Sequence, residues 1–192
     1  QRQMCIRDRS ITAAVFVPDY ELSTEKARQA LPRELPYKDA VYNVSRVGLL
    51  PAAMNPVVLA QAAQQGKSGV AAAPAQDADT CACSGGTRES AFADELAAAQ
   101  AQSNALLFTA TQDKLHQPYR GALMPPSTEL IALFRSKGYA AAVSGAGPCV
   151  LVLHYGNARE AIDQIASEQL ASGHWRVLHL PINTAGVEIE RR

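Results

Sequence analysis

Thr24 and Arg28 are the first residues whose types and spacing could do chemistry. They lie four residues apart in the segment LSTEKAR, so a helix would place them on one face. A hydroxyl and a guanidinium near a helix start can bind an anion, together with backbone N–H groups of the first turn. The alternative is a capping residue, Ser23 or Thr24, beside a solvated arginine, and spacing alone favours this alternative.

Asn43 and Arg46 follow on the next predicted helix. Asn43 comes directly after Val41-Tyr42, on a helix that carries apolar residues at near-helical spacing. A polar side chain in such a place more often makes an interhelical hydrogen bond than a ligand contact. From the residues alone, the interhelical bond is the favoured interpretation and the ligand contact stays open.

His116 and Arg120 belong to a third segment, DKLHQPYRGALM, and the prolines and glycine of residues 116–126 predict a loop or a short extended piece there. His116 has no accompanying set of metal ligands or acid–base partners, so a structural histidine near a helix end is favoured. Arg120 stands between Pro118 and Gly121, where the backbone can be fixed and closely approached. Its guanidinium suits a two-point grip on a carboxylate or a phosphate.

Ser144, Gly145 and Gly147 lie in the segment VSGAGPC, which joins two predicted strands. This segment lacks the Lys-Ser/Thr ending of a Walker loop. It also lacks the third glycine and the following helix of a dinucleotide fingerprint. One interpretation is a tight strand connection. The other is a backbone that approaches a ligand closely, with Ser144 and N–H groups available to an anion.

The elements that would position these segments alternate between strands and helices. Apolar runs predict strands at residues 11–17, 139–143 and 149–154, and alternation predicts a fourth at 175–180. Helices are predicted at residues 24–30, 38–50, 88–116, 128–137 and 158–170, with Ser127 or Thr128 as a cap. The order predicts an α+β fold, a split β-α-β arrangement with helices on one face of a mainly antiparallel sheet.

Composition and charge exclude several classes of protein. The chain has 18 Lys+Arg and 18 Asp+Glu, and this balance argues against a bulk electrostatic grip on nucleic acid or an anionic membrane. No apolar run approaches the roughly 18 to 20 residues of a membrane span. Cys81 and Cys83 are too close together for a CxxC metal site. We therefore expect no bound metal, and reduced thiols in a cytoplasmic protein.

Two stretches depart from this pattern. Residues 1–10 are polar, and a buried-strand pattern follows them at once. We expect them to be a non-native, adapter-derived segment fused to a truncated reading frame, with a native disordered arm as the alternative. Residues 60–86 are rich in Ala, Gln, Gly and Ser, so they bury too little apolar surface to offset their ordering entropy. We expect a low-complexity insertion there.

Four longer segments carry a resemblance to a known family. They read FVPDYELSTEKARQALP, PYKDAVYNVSRVGLL, QDKLHQPYRGALMP and AAAVSGAGPCVLVL. In this order and register they resemble homoserine kinase, within the GHMP family of small-molecule kinases, over about residues 11–59 and 106–180. The resemblance implies the GHMP C-terminal domain at residues 87–192, with a ferredoxin-like sheet. Residues 11–59 would hold the end of the N-terminal domain and the first helices of the C-terminal one.

The resemblance also implies roles for the residues above. Arg28 and Arg120 would hold the α-carboxylate of L-homoserine, with Asn43 as a further substrate-binding candidate. Thr24 would be the catalytic candidate, near the reacting hydroxyl. The glycine-rich motif that closes on the active site corresponds to Ser144, Gly145 and Gly147. The whole enzyme would use ATP and Mg²⁺ to phosphorylate the side-chain hydroxyl of L-homoserine, a step in threonine biosynthesis.

The sequence differs from the family in the segment that would bind the nucleotide. A phosphate-cradling loop of the type PxxxGLGSSA is absent from it, so we expect little ATP binding and no turnover from this chain alone. Two other functions stay open: a kinase of the same superfamily with a different acceptor, and a stand-alone amino-acid-binding or regulatory domain that needs no nucleotide. The oligomeric state is also open, with a homodimer as one alternative.

Overall fold

The computed structural model describes residues 11–55 and 86–181, and four strands within them form one sheet. The strands are β1 Ile11–Pro18, β2 Ala140–Val143, β3 Val150–Tyr155 and β4 Trp175–Leu180. Their spatial order is β2-β3-β1-β4, and each neighbouring pair is antiparallel. The predicted α+β class and split β-α-β arrangement are confirmed. The predicted segment 1–10 lies outside the described residues, as does the predicted insertion 60–86 except for Gly86, which begins a helix.

Helices connect the strands and cover them. In chain order they are α1 Thr24–Gln29, α2 Tyr37–Val47, α3 Leu50–Ala53, α4 Gly86–Ala110, α5 Gln117–Arg120, α6 Pro125–Ser136, α7 Arg159–Ile165 and α8 Ser167–Ala171, with a 3₁₀ turn Gly121–Leu123 between α5 and α6. None of these helices, in the part of the chain that the structure describes, is long and apolar enough to cross a membrane.

The first face of the sheet packs on the helices that follow the 3₁₀ turn. Phe16 of β1 and Val152 of β3 are fully buried against Phe134 of α6 and Ile162 of α7. The register explains this, because Ala14 of β1 stands opposite Val152 and the alternate residues of each strand therefore share a face. Burial of these apolar side chains is the main stabilising term on this side.

The second face packs on α3 and α4, so the expectation of helices on one face is wrong in this respect. Ala13 of β1 and Leu153 of β3 pack with Leu107 of α4 and Ala53 of α3 in a second buried cluster. The physical reason is visible in β3, which is apolar on both sides and needs cover on both.

Asn104 fixes α4 to the end of β3. Its Oδ1 accepts the N–H of Tyr155 at 2.7 Å, and its Nδ2 donates to the carbonyl of the same residue at 3.2 Å. This reciprocal pair copies the hydrogen bonds of a neighbouring strand, so one side chain satisfies both backbone groups of Tyr155, which lies in β3 beyond the last residue paired with β2.

Two predicted boundaries between residues 88 and 120 are wrong. The long helix ends at Ala110 instead of His116. Residues 117–120, predicted as a loop or an extended piece, form the short helix α5 with Pro118 in its first turn. A proline is tolerated there because the first-turn N–H groups have no partner within the helix.

Two further boundaries differ for similar reasons. Helix α6 begins at Pro125 after Met124, with no side-chain cap, so neither Ser127 nor Thr128 caps it. The helix predicted at residues 158–170 is divided into α7 and α8 at Ala166. Polar residues near a predicted helix start therefore mark its neighbourhood but not its first residue.

Helix α2 turns its valines outward. Val44 is 74% exposed, and no residue of α2 is buried. The half-buried residues of α2 are polar except for one alanine: Asp39, Ala40, Tyr42, Asn43 and Arg46. The helix ends at Val47, before its predicted end at residue 50, and α3 follows with Pro51 in its first turn.

Replacing Phe134 by alanine tests the first face. Its ring lies 5.2 Å from that of Phe16 and 6.1 Å from that of Tyr139. Because the change removes a fully buried ring, we expect Phe134→Ala to lower the free energy of unfolding by about 3–5 kcal/mol. The exposed control Val44→Ala should change it by less than about 0.5 kcal/mol. Urea titration followed by circular dichroism measures both, and equal values would contradict this core.

Candidate functional site

Helix α1 carries Thr24 and Arg28, as the sequence predicts. Ser23, and not Thr24, is the capping residue, since its hydroxyl accepts the N–H of Lys26 at 3.4 Å. Thr24 is therefore the first helical residue and is exposed, as is Arg28 one turn later. Ala27 is fully buried and anchors the helix between them. The hydroxyl and the guanidinium thus belong to the exposed part of a short, anchored helix.

Helix α5 brings Arg120 against α1. The Nε–H of Arg120 donates to the backbone carbonyl of Ala27 at 3.2 Å, and Ala27 directly precedes Arg28. This bond uses Nε only, and a two-point grip on a carboxylate can use the Nη groups. The structure therefore brings the two helices of the predicted arginines into contact. Their joint grip on one carboxylate stays a prediction.

The glycine-rich segment forms a tight connection between β2 and β3. The N–H of Ser144 donates to the carbonyl of Cys149 at 2.8 Å, and the N–H of Gly147 donates to the carbonyl of Ser144 at 3.2 Å. Gly145 and Gly147 have φ of 63° and 88°, which favour glycine. The strand-connection interpretation is confirmed in its geometry, while contact with a ligand stays a prediction.

This connection rests on residues 117–127, which we call the α5–α6 junction. Gln117 accepts the N–H of Val143 on its Oε1 at 3.0 Å, at the start of the connection. Ser127 donates to the carbonyl of Pro148 at 2.5 Å, at its end. Since that bond uses the proton of Ser127, the hydroxyl of Tyr20 is the donor in the 2.7 Å bond between the two side chains. The junction therefore holds the glycine-rich connection at both ends.

Asn43 joins the same assembly through Asp113. Its Nδ2 donates to Oδ1 of Asp113 at 2.5 Å, and its Oδ1 accepts the N–H of Lys114 at 2.9 Å. Asn43 therefore makes a structural hydrogen bond, as favoured from the sequence, but the predicted interhelical partner is wrong, since the bond joins α2 to the non-helical segment that precedes α5. A substrate contact by Asn43 stays a prediction.

Asp113 is the residue that sequence reasoning missed. Besides Asn43, its carboxylate accepts the N–H groups of Leu115 and His116 at 3.0 Å and of Gln117 at 2.5 Å. Burial alone would raise the pKa of Asp113, but these hydrogen bonds outweigh it and the pKa is lowered. Its bond from the N–H of Leu115, two residues further on, forms an Asx turn, and an aspartate in such a turn could have been expected from the sequence.

Tyr42 and Arg46 pack beside this segment on α2. The guanidinium of Arg46 lies 4.1 Å from the centre of the Tyr42 ring, and the Lys114 ammonium lies 4.3 Å from it. The hydroxyl of Tyr42 donates to Oε1 of Gln112 at 2.5 Å, and Nε of Arg46 donates to the same oxygen at 3.2 Å. Arg46 is thus part of a packed contact between α2 and the segment that follows α4, not a free cation.

A cavity of about 420 Å³ is lined by residues of α2, α5 and α6, among them Tyr42 and Arg135. Arg135 donates to the carbonyls of Phe108 at 2.7 Å and Ala141 at 3.0 Å, two further lining residues. Burial lowers the pKa of Arg135 and nearby Tyr42 opposes this in part, yet a guanidinium stays charged at neutral pH. Arg28 and Arg120 are not among the lining residues of this cavity.

No group of three or more His, Cys, Asp or Glu side chains that could hold a metal ion occurs among residues 11–55 and 86–181. Cys149 is a free thiol, and the other cysteines lie outside the described residues. His116 lies with its Nδ1 3.6 Å from Oδ2 of Asp113, so it packs beside the capping carboxylate, near the start of α5.

The family of this domain follows from a comparison with family models. Residues 90–171, from α4 to the end of α8, match the model described as GHMP kinases C terminal. This part of the chain contains strands β2 and β3, the glycine-rich connection and the α5–α6 junction. This part of the chain therefore resembles the C-terminal domain of the GHMP kinases.

Individual relatives narrow the class. The chain is 33% identical over 185 residues to homoserine kinase of Leifsonia xyli subsp. xyli, covering 95% of this chain and 42% of that protein. It is 32% identical over 184 residues to homoserine kinase of Clavibacter michiganensis subsp. michiganensis, covering 95% and 43%. The chain is thus a relative of the homoserine kinases and spans less than half of their length. The resemblance drawn from the sequence is confirmed.

A solved structure shows the same fold. The crystal structure of homoserine kinase from Cytophaga hutchinsonii matches with a TM-score of 0.55 at 17% sequence identity, over 88% of this chain and 40% of that chain. At this identity the match establishes the fold, and the roles of individual side chains stay predictions.

Gly147 offers a direct test of the glycine-rich connection. A Cβ added there would lie 2.6 Å from Sδ of Met124, whereas a Cβ at Gly145 would meet nothing within 4 Å. Both glycines have positive φ, so alanine costs about 1–2 kcal/mol at either position from backbone strain. We expect Gly147→Ala to lower the free energy of unfolding by at least about 1 kcal/mol more than Gly145→Ala, because overpacking adds to the strain. Urea titration measures the difference, and equal losses would contradict this packing.

The lowered pKa of Asp113 predicts an acid limb in the stability curve. The unfolded chain has the higher pKa, near the ordinary value of about 3.9, and binds a proton first as the pH falls. The stability from ionised Asp113 is therefore full above that value and is lost as the pH falls through the folded pKa. We expect Asp113→Asn to flatten the dependence of the unfolding free energy between about pH 5 and pH 2.5. Glu129→Gln, an exposed carboxylate on α6, is the control. Parallel curves for the wild type and Asp113→Asn would contradict the assignment.

Proposed function

We propose that this chain supplies the amino-acid half of a homoserine kinase active site. The observation that supports this most is the convergence of three separate segments on residues 113–127: α1 through Ala27, α2 through Asn43, and the glycine-rich connection at both of its ends. These three segments, together with the segment on which they converge, also carry the resemblance to homoserine kinase in the sequence. Their contacts mean that the segments that carry the resemblance lie next to one another in the folded chain.

The proposed roles follow from the chemistry of the side chains. Arg120 and Arg28 bind the α-carboxylate of L-homoserine, each by charge-assisted hydrogen bonds worth roughly 1.5–3 kcal/mol. Thr24, on the same helix face as Arg28, lies near the side-chain hydroxyl that receives the phosphoryl group. Phosphoryl transfer asks the protein mainly for positioning and charge stabilisation. Holding the amino acid by its carboxylate orients its hydroxyl, which is the contribution that this half makes.

ATP and Mg²⁺ are the proposed co-substrate and metal of the whole enzyme. The described residues do not fit them on their own, since they contain no cluster that could hold a metal, and the sequence lacks the phosphate-cradling loop. We therefore derive no step through the nucleotide from this chain. The proposed product is O-phospho-L-homoserine, in threonine biosynthesis in the cytoplasm. The homodimer alternative stays open.

A hybrid enzyme tests the proposal. In it, this chain replaces the matched 42% of the Leifsonia xyli homoserine kinase. We expect ATP-dependent phosphorylation of L-homoserine by the hybrid and none by the chain alone. Arg120→Met and Arg28→Met should each raise the KM for L-homoserine about tenfold to a hundredfold, with the KM for ATP unchanged. Arg33→Met, an exposed arginine after α1, is the matched control.

The other outcomes decide between the alternatives. Phosphorylation by the chain alone, or an unchanged KM for L-homoserine in both arginine variants, would contradict the proposal. A screen of other small hydroxyl compounds identifies a different acceptor. Calorimetric binding of L-homoserine or L-threonine to the isolated chain, with an inactive hybrid, would favour the stand-alone binding domain.

A further inference from the structure

The carboxylate of Asp113 has an unusually complete set of donors. It accepts one side-chain N–H, from Asn43 at 2.5 Å, and three backbone N–H groups, from residues 115, 116 and 117. Its side chain is 7% exposed. A buried carboxylate with several N–H donors holds its position firmly, because releasing it would leave a charge and several donors unpaired.

Helix α5 depends on this carboxylate. It has only four residues, Gln117–Arg120, and a single turn does not form stably on its own. Asp113 accepts the N–H groups at the start of the turn, and Arg120 closes it by donating its N–H to the carbonyl of His116 at 3.0 Å. The direction in which α5 presents Arg120 is therefore set at Asp113.

Two side chains of α5 make hydrogen bonds to segments of the proposed site. The guanidinium of Arg120 reaches the carbonyl of Ala27 in α1, and the side chain of Gln117 holds the N–H of Val143 before the glycine-rich connection. Asn43 connects α2 to the start of this segment, since it donates to Asp113 and accepts the N–H of Lys114. Asp113 thus stands between α2 and the two segments that α5 contacts.

We propose that Asp113 is a positioning residue, which orients the guanidinium of Arg120 for the substrate carboxylate by fixing the start of α5 to α2. The identity of the ligand in this inference rests on the proposed function. The effect of Asp113 on α5 is independent of the proposed function. The two parts therefore have separate tests.

The first test uses the 192-residue chain alone. Asp113→Asn keeps the shape but replaces one acceptor oxygen with an NH₂ group that faces N–H donors. We expect hydrogen exchange at the amides of residues 115–120 to accelerate about tenfold or more, while the β1 and β3 amides exchange as in the wild type. We also expect the Nε–H resonance of Arg120 to shift. Glu129→Gln is the matched control, and unchanged exchange at 115–120 in Asp113→Asn would overturn the positioning role.

The second test uses the hybrid enzyme. We expect Asp113→Asn to raise the KM for L-homoserine about tenfold, with the KM for ATP within about twofold of the wild type. If Asp113 acts through Arg120, the same change should add little in the Arg120→Met background. Equal effects of Asp113→Asn in both backgrounds would overturn the proposal. If Arg120→Met itself leaves the KM unchanged, the proposed function fails, and the exchange experiment still decides the role of Asp113.

Asn43→Ala keeps the proposal testable if Asp113→Asn unfolds the chain. It removes one donor to Asp113 and leaves the three backbone bonds in place. We expect the same pattern with a smaller effect, about threefold in the KM for L-homoserine, since three of the four N–H donors to the carboxylate remain. A loss of kcat with no change in this KM would contradict positioning through Arg120.

Discussion

A helix of one turn is not stable by itself, and α5 is held in place by hydrogen bonds to several other parts of the molecule. Nucleating a turn fixes several backbone angles for a single internal hydrogen bond, so α5 needs bonds from outside. Asp113 accepts an N–H at the start of α5. The side chain of Arg120 donates to the carbonyl of Ala27, and the side chain of Gln117 accepts the N–H of Val143. Segments more than 90 positions apart in sequence are thereby fixed relative to one another.

The sheet supplies the rigid frame for this junction. β1 and β3 occupy its centre and are covered on both faces, so the ends of β2 and β3 are well anchored. The glycine-rich connection begins where β2 ends and returns where β3 begins, so its position follows from the register of Val143 opposite Val150. Tertiary burial therefore fixes one side of the candidate site, and side-chain hydrogen bonds fix the other.

How much of this could be predicted from the sequence depends on the kind of interaction. The four strands follow from apolar runs and alternation, since those patterns report burial directly. The prediction of helices on one face is wrong, although β3 is apolar on both sides and requires cover on both.

The helices depend more on distant partners. Local statistics predict a loop at residues 117–120, because Pro118 and Gly121 are turn residues, whereas Asp113 and other partners stabilise a helical turn there. The valines of α2 have helical spacing, yet the helix buries its polar side, because Asn43 and Tyr42 find partners across 70 positions. Local patterns contain no information about such partners.

The two glycines of the connection illustrate how one motif can combine separate physical demands. Gly147 lies against the fully buried Met124, so its lack of a side chain serves packing between the connection and the α5–α6 junction. Gly145 has open space where a Cβ would be, so packing does not require glycine there and its positive φ is the remaining demand. A side chain would therefore be opposed by backbone strain alone at Gly145, and by strain together with contact against Met124 at Gly147. The motif reads as one unit in the sequence, but only Gly145 has open space beside its backbone, because packing and backbone conformation make separate demands on the two positions.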